Sequence, residues 1–267
     1  MLVAVWNNCK TDKSRELATL LALSGVNNHQ TSVALFENNV KGSLLGDMLI
    51  DRRYSQILRE DGMRYVARSE VGRSRMFIEN RYKRRCYGEN LVMLIDNALY
   101  YGVQYNDENE NVYNDNIGMR YTEFLAEAEK RTDYQLIATD RGENASSLQI
   151  VDDADKVVVA ITPEDYDFNK FFDNYRMIRY KCIFVLVSDE KISKKEKDHF
   201  KSVFGLVGSQ LFEFVETEEF KDYAAMAKVM EYAKKYTRPT RASSEYALYR
   251  QIEKISAVVF NGIVPTK

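Results

Sequence analysis

Histidine is nearly absent from this chain: His29 and His199 are the only two in 267 residues. With no CxxC or HExxH spacing either, a histidine-rich metal centre is excluded. Cysteine is scarce and odd in number, and Cys9, Cys86 and Cys182 lie far apart, which argues against a disulfide framework and for a reducing, cytoplasmic setting. No apolar run approaches the ~20 residues that span a bilayer. No basic region precedes the apolar start of the sequence, so neither a transmembrane helix nor a signal peptide is expected. An excess of one charge sign is missing too. With 38 Lys and Arg against 40 Asp and Glu, the formal net charge is -2, so nucleic-acid binding would have to rest on a local patch. What remains, 45% hydrophobic and 29% charged, is the composition of a globular chain rather than a disordered one.

Short apolar runs alternate with segments of helical spacing along most of the length. Strands are predicted over residues 2–6, 32–36, 91–95, 134–139, 156–162, 182–188 and 211–215, each a buried-strand pattern of four to six apolar positions. Helices are predicted after a polar loop over 7–14, through Leu17, Leu20 and Leu21 to a stop at Gly25, and over 44–58, 120–131, 164–177, 194–203, 218–236 and 245–260. Thr162 followed by Pro163, Glu164 and Asp165 reads as a helix start, with a side-chain cap, proline in the first turn and acids at the positive dipole end. Tyr223, Met226 and Met230 have the spacing of core positions. Alternation of this kind predicts an α/β fold: a mostly parallel sheet of about seven strands with helices on both faces. We expect one domain over 1–267, with an exposed Tyr-, Asn- and Asp-rich insertion near 97–116 and a C-terminal helix near 245–260 that packs or serves as an interaction element.

In such a fold, ligand sites lie at the carboxyl ends of the strands. The opening stretch MLVAVWNNCKTDKSRELATLLA is a strand, a polar loop and a helix, and a helix N-terminus in that place offers free N–H groups and a positive dipole end to phosphate. Yet the loop contains no glycine. At the end of the fourth strand, Asp140 with Gly142 beyond it either stands where an NTPase holds Mg²⁺ through a water or simply caps the turn.

The order of features VAVW, SVALFE, DYQLIATDRG, VDDADKVVVAITPED, CIFVLVSDE and FEFVETEEF resembles the ParA/MinD family of deviant Walker ATPases, and most closely atypical members such as TadZ of pilus assembly. The resemblance is carried best by 133–220 and poorly by 60–118. It implies a P-loop NTPase fold, homodimerisation, and a spatial-organisation or assembly role in a pilus, conjugation or partition apparatus. The family's loop reads roughly K-G-G-x-G-K-[ST], its glycines letting backbone N–H groups approach phosphate. Aligned without a gap, this chain puts Cys9 at the first lysine, Lys10 and Thr11 at the paired glycines, Lys13 at the third glycine and Ser14 at the second lysine. A shift of one residue makes Lys13 and Ser14 the lysine and the Mg²⁺-binding hydroxyl, with Asn8 at the first lysine. The candidate nucleotide residues are therefore Lys10, Thr11, Lys13 and Ser14, and the candidate Mg²⁺ residues are Glu37 and Asp140. After the sixth strand, where relatives often present asparagine to adenine, Val187 and Ser188 stand instead. The resemblance with a degenerate loop implies a pseudo-ATPase scaffold that does not require ATP or Mg²⁺. The alternative is a weak ATPase using Lys13 and Ser14.

Residues 68–85 hold Arg68, Arg73, Arg75, Arg81, Lys83, Arg84 and Arg85 against Glu70 and Glu79. Such a run is either a contact for DNA or acidic lipid heads, which would also recruit the protein to a membrane face, or a solvated surface balanced by the acidic insertion.

Overall fold

A strand apolar at almost every position needs cover on both faces and neighbours on both edges. β1 (Leu2–Asn7) has both, and all six of its residues are buried. The protein, seen in a computed structural model, is described here at residues 1–7, 13–38, 48, 91–94, 125–126, 128–130, 132–139, 145–207 and 210–261. β1 lies between β4 (Tyr134–Thr139) and β5 (Lys156–Ile161). Outward from these run β2 (Val33–Asn38) and β3 (Leu91–Leu94) on one side, β6 (Cys182–Ser188) and β7 (Leu211–Val215) on the other, in the order β3-β2-β4-β1-β5-β6-β7. Every pairing is parallel. The expected mostly parallel sheet of about seven strands is thus a parallel sheet of seven.

Strand side chains alternate between faces, and the core divides accordingly. Val3, Val5, Leu136, Val158, Val185 and Phe214 pack with α1 (Ser14–Asn28), α5 (Glu218–Ala225), α6 (Val229–Lys235) and α7 (Tyr246–Asn261). Ala4, Trp6, Ile137, Val157, Val159 and Phe184 pack on the opposite face with α2 (Ala145–Asp153), α3 (Asp165–Tyr175) and α4 (Lys194–Val203). The second face is aromatic-rich. Trp6 lies 5.3 Å from Phe171 and 5.5 Å from Tyr175, and Phe168 stacks on Phe200 and Phe204 at 4.8 and 4.6 Å.

Several local expectations are corrected. α1 does not stop at Gly25 but runs through it to Asn28. The glycine is there for packing, because a Cβ at that position would stand 2.7 Å from Cζ of Phe260 on α7. Phe260 has little room to yield, being buried and edge-on to Tyr134 at 4.8 Å, with the Tyr134 hydroxyl donating to its carbonyl. Overpacking costs typically 1–3 kcal/mol and the better helix propensity of alanine returns up to about 1. We therefore expect Gly25→Ala to lower stability by about 1–2 kcal/mol, read as a lower urea midpoint at unchanged slope.

Thr162 is not the cap of the next helix. α3 begins at Asp165 with Glu164 as N-cap, and the Glu164 N–H donates to the Thr162 carbonyl at 2.7 Å, so Pro163 closes a turn before the helix. The segment read as one helix over 218–236 is two, α5 and α6, parted where Ala227 takes a positive φ of 58°; Met226 at the break is 53% exposed rather than core. Residues 145–153, for which the sequence pattern predicts no helix, are α2. α7 is a packing helix: Leu248, Ile252, Ile255 and Val259 are buried against α1 and β7, with the Ser24 and Ser256 hydroxyls 2.9 Å apart between the two helices. The expected helix over 44–58, Met48 excepted, and the insertion at 97–116 lie outside the described residues. No helix among the described residues is long and apolar enough to cross a membrane.

Candidate functional site

In a parallel sheet all carboxyl ends share one edge. Here Asn7, Asn38, Thr139, Ile161, Ser188 and Val215 end their strands on it. The connections after β1 and after β4 leave to opposite sides of β1, so the strand order switches direction over the point where α1 begins.

Lys13 is the N-cap residue of α1 and makes no side-chain cap bond. Its ammonium is held instead by Glu216, the residue following β7, with Nζ 2.5 Å from Oε2 and side-chain exposures of 15% and 2%. Glu16 lies 4.0 Å away on the first turn. Burial pulls the Lys13 ammonium down, but the carboxylates of Glu16, Glu216 and Asp189 outweigh it and leave the group above the ordinary lysine value. It is therefore charged at neutral pH. The other oxygen of Glu216, Oε1, is buried and has no hydrogen-bond partner among the described residues.

Ser14 is fully buried, and its hydroxyl donates to the Thr139 carbonyl at 3.1 Å, tying the start of α1 to the end of β4. Glu37, near the end of β2, accepts from the guanidinium of Arg15 in an ion pair with side-chain exposures of 4% and 0%. Next to it, Asn38 donates to the hydroxyls of Ser146 and Ser147 at 3.0 and 3.2 Å, which anchors the first turn of α2 on the sheet edge. Along the edge, Val187 is buried and the Ser188 hydroxyl accepts from the Glu190 N–H at 3.1 Å.

Of the residues singled out from sequence, Lys13, Ser14 and Glu37 thus gather at the carboxyl edge around the N-terminus of α1. Lys10, Thr11, Asp140 and the basic set Arg68, Arg73, Arg75, Arg81, Lys83, Arg84 and Arg85 lie outside the described residues. Sequence reasoning missed the partners Arg15 and Glu216. Arg15 carried a weak signal as a cation two residues from Lys13, whereas Glu216 is one acid among several in VETEEF.

No family model and no curated protein matches the sequence. Solved structures do match. A ParA family ATPase from Chlorobium tepidum superposes with a TM-score of 0.61 at 11% identity, over 96% of this chain and 98% of that one. MinD from Pyrococcus horikoshii, solved with Mg-ADP, superposes at 0.59 and 9% identity over 97% and 95%. The MinC:MinD cell division complex of Aquifex aeolicus gives 0.57 at 11% identity over 100% and 98%. The chain has a ParA/MinD-like fold. At these identities the likeness is one of architecture. Within the ParA/MinD-like fold, the first strand and the helix after it, here β1 and α1, are the unit that carries the phosphate loop in P-loop NTPases. In this chain, it is the unit that carries Lys13, Ser14 and Arg15.

Proposed function

We propose that this chain is a ParA/MinD-like spatial-organisation or assembly factor that has lost efficient ATP hydrolysis. It works as a dimeric scaffold for the protein partners of a pilus, conjugation or partition apparatus on the cytoplasmic side of the membrane. Its structural neighbours include cell-division proteins and a putative plasmid partition protein, and the fold it shares with them supports the organiser role. The observation that carries the loss of hydrolysis is the Lys13–Glu216 pair. A triphosphate at the N-terminus of α1 would need that ammonium, and the ammonium is closed on a buried carboxylate. The glycine-free loop before it and the engagement of Ser14 and Glu37 by protein groups argue the same way: the residues as arranged do not fit MgATP.

Calorimetric titration with MgATP and a phosphate-release assay test this reading. We expect no binding in the micromolar range and no steady turnover, and micromolar affinity with turnover would sink it. Dimerisation is checked by sedimentation across a concentration series, where a monomer at all concentrations counts against the scaffold.

One arrangement favours a second reading, a weak ATPase: Lys13 and Ser14 do stand side by side at the start of a helix on the carboxyl edge. Lys13→Ala separates the two readings. The scaffold reading expects the nucleotide titration to stay flat in the variant, as in the parent chain; the ATPase reading expects a parent signal that the substitution abolishes.

A further inference from the structure

The Lys13–Glu216 contact can be a staple or a lock. A staple would tie β7 to α1 as one more tertiary interaction; a lock would fill a binding function with a group of the chain's own. Three observations favour the lock. Glu216 is not needed to start α5, because the hydroxyl of the next residue, Thr217, accepts from the Phe220 N–H and caps that helix. Its Oε1 is buried and has no hydrogen-bond partner among the described residues, so among these residues the carboxylate is held by Lys13. Buried carboxylates kept for architecture are normally satisfied on both oxygens. The charge balance around Lys13 is the third observation. Glu16, Glu216 and Asp189 act on one ammonium, while the nearby cation Lys221 is shared between Asp189 at 3.2 Å and Glu218 at 3.1 Å. A triphosphate would bring three or four more negative charges into a site already supplied with anions.

We propose that Glu216 is an internal anion that takes up Lys13 in place of a phosphate group and holds the N-terminus of α1 closed to nucleoside triphosphates. The proposal rests on the reading that this chain does not bind ATP efficiently, and it names the residue responsible. A carboxylate suits the part: it matches both the ammonium and the positive end of the α1 dipole, as a phosphate oxygen would. Being part of the chain, it does so at a high effective concentration. The triphosphate is excluded because its place is filled.

Glu216→Gln removes the charge and nearly preserves the shape, and Glu216→Ala removes both. The full chain is titrated with MgATP and separately with inorganic tripolyphosphate, which reads the phosphate site whether or not adenine is held. Binding is followed by calorimetry, and folding is verified by circular dichroism. In the parent chain we expect no saturable binding below about 1 mM. In Glu216→Gln we expect affinity for one or both probes to rise by at least about tenfold, and the gain should vanish in Lys13→Met/Glu216→Gln. A folded Glu216→Gln and a folded Glu216→Ala that both bind no better than the parent overturn the lock while leaving the loss of ATP binding intact. A gain that survives removal of Lys13 also overturns it. Micromolar binding by the parent chain overturns the functional reading itself.

Discussion

Replacing Arg15 by alanine is expected to lower the unfolding free energy by about 3–5 kcal/mol, the range found when one member of a buried ion pair is removed. The pair is buried on both sides, with exposures of 4% for Arg15 and 0% for the Glu37 side chain. It joins the first turn of α1 to the carboxyl end of β2. Without the guanidinium, the Glu37 carboxylate keeps its desolvation penalty and loses the Arg15 charge that offsets it. The control is a double replacement. Arg15→Met/Glu37→Leu removes both charges and leaves apolar groups of similar length, and it should recover most of the loss. Urea unfolding of the parent, both single variants and the double variant closes the cycle. A single-variant loss below about 1 kcal/mol would mean that the pair contributes no more than an exposed one. Because the residues flank the start of α1, loosening there should also speed amide exchange in its first turn more than in α7.

On the other face of the sheet, Phe171→Ala should cost a similar amount, about 3–5 kcal/mol, by opening a cavity. Phe171 is fully buried, and its ring touches Trp6 at 5.3 Å, Tyr175 at 5.2 Å, Phe172 at 5.5 Å and Phe184 at 5.5 Å. Deleting it therefore removes contacts from β1, α3 and β6 together, and rings locked by their neighbours cannot easily collapse into the gap. Phe171→Leu, which keeps most of the volume, should cost about 1.5 kcal/mol or less. Trp6 is the only tryptophan, and it packs directly on the site of substitution. Its fluorescence should shift to longer wavelength in the alanine variant before global unfolding begins. An unshifted native spectrum with parent-like stability would show that the cluster repacks.

What could be read from the sequence was what is local and repetitive. The strands at Tyr134–Thr139 and Cys182–Ser188 coincide with their apolar runs, because a strand buried on both faces has no choice of composition; the half-buried edge strand Leu211–Val215 coincides with its run as well. The helix at Lys194–Val203 was equally legible. α2 was not, since the segment entering it, Asp-Arg-Gly-Glu-Asn-Ala-Ser-Ser, has the residues of a turn. Its serines prove to be buried and bonded to Asn38, over a hundred positions earlier. Gly25 was misread for a related reason: a glycine that ends a helix and a glycine that admits a neighbouring ring look the same until the neighbour is known. The site divides along the same line. The place of Lys13 and Ser14 on the carboxyl edge follows from strand, loop and helix, which is a local pattern. What Lys13 touches depends on Glu216, 203 residues away, and nothing near Glu216 in the chain sets it apart from Glu218, which is exposed.

The central position of β1 also bears on how the chain comes off the ribosome. Both of its sheet neighbours, β4 and β5, lie more than 130 residues further along. At about 5–20 residues per second, translation separates the strand from its first partner by roughly 7–26 s, during which Leu2, Val3, Ala4, Val5 and Trp6 have no edge to pair with. α1 and β2 can form sooner, but β2 also pairs with β4, so the half of the sheet made early is held together only once its middle arrives. A nascent chain of this design exposes an adhesive apolar strand for much of its synthesis. It should depend on chaperone capture more heavily than a protein of equal size built from hairpins.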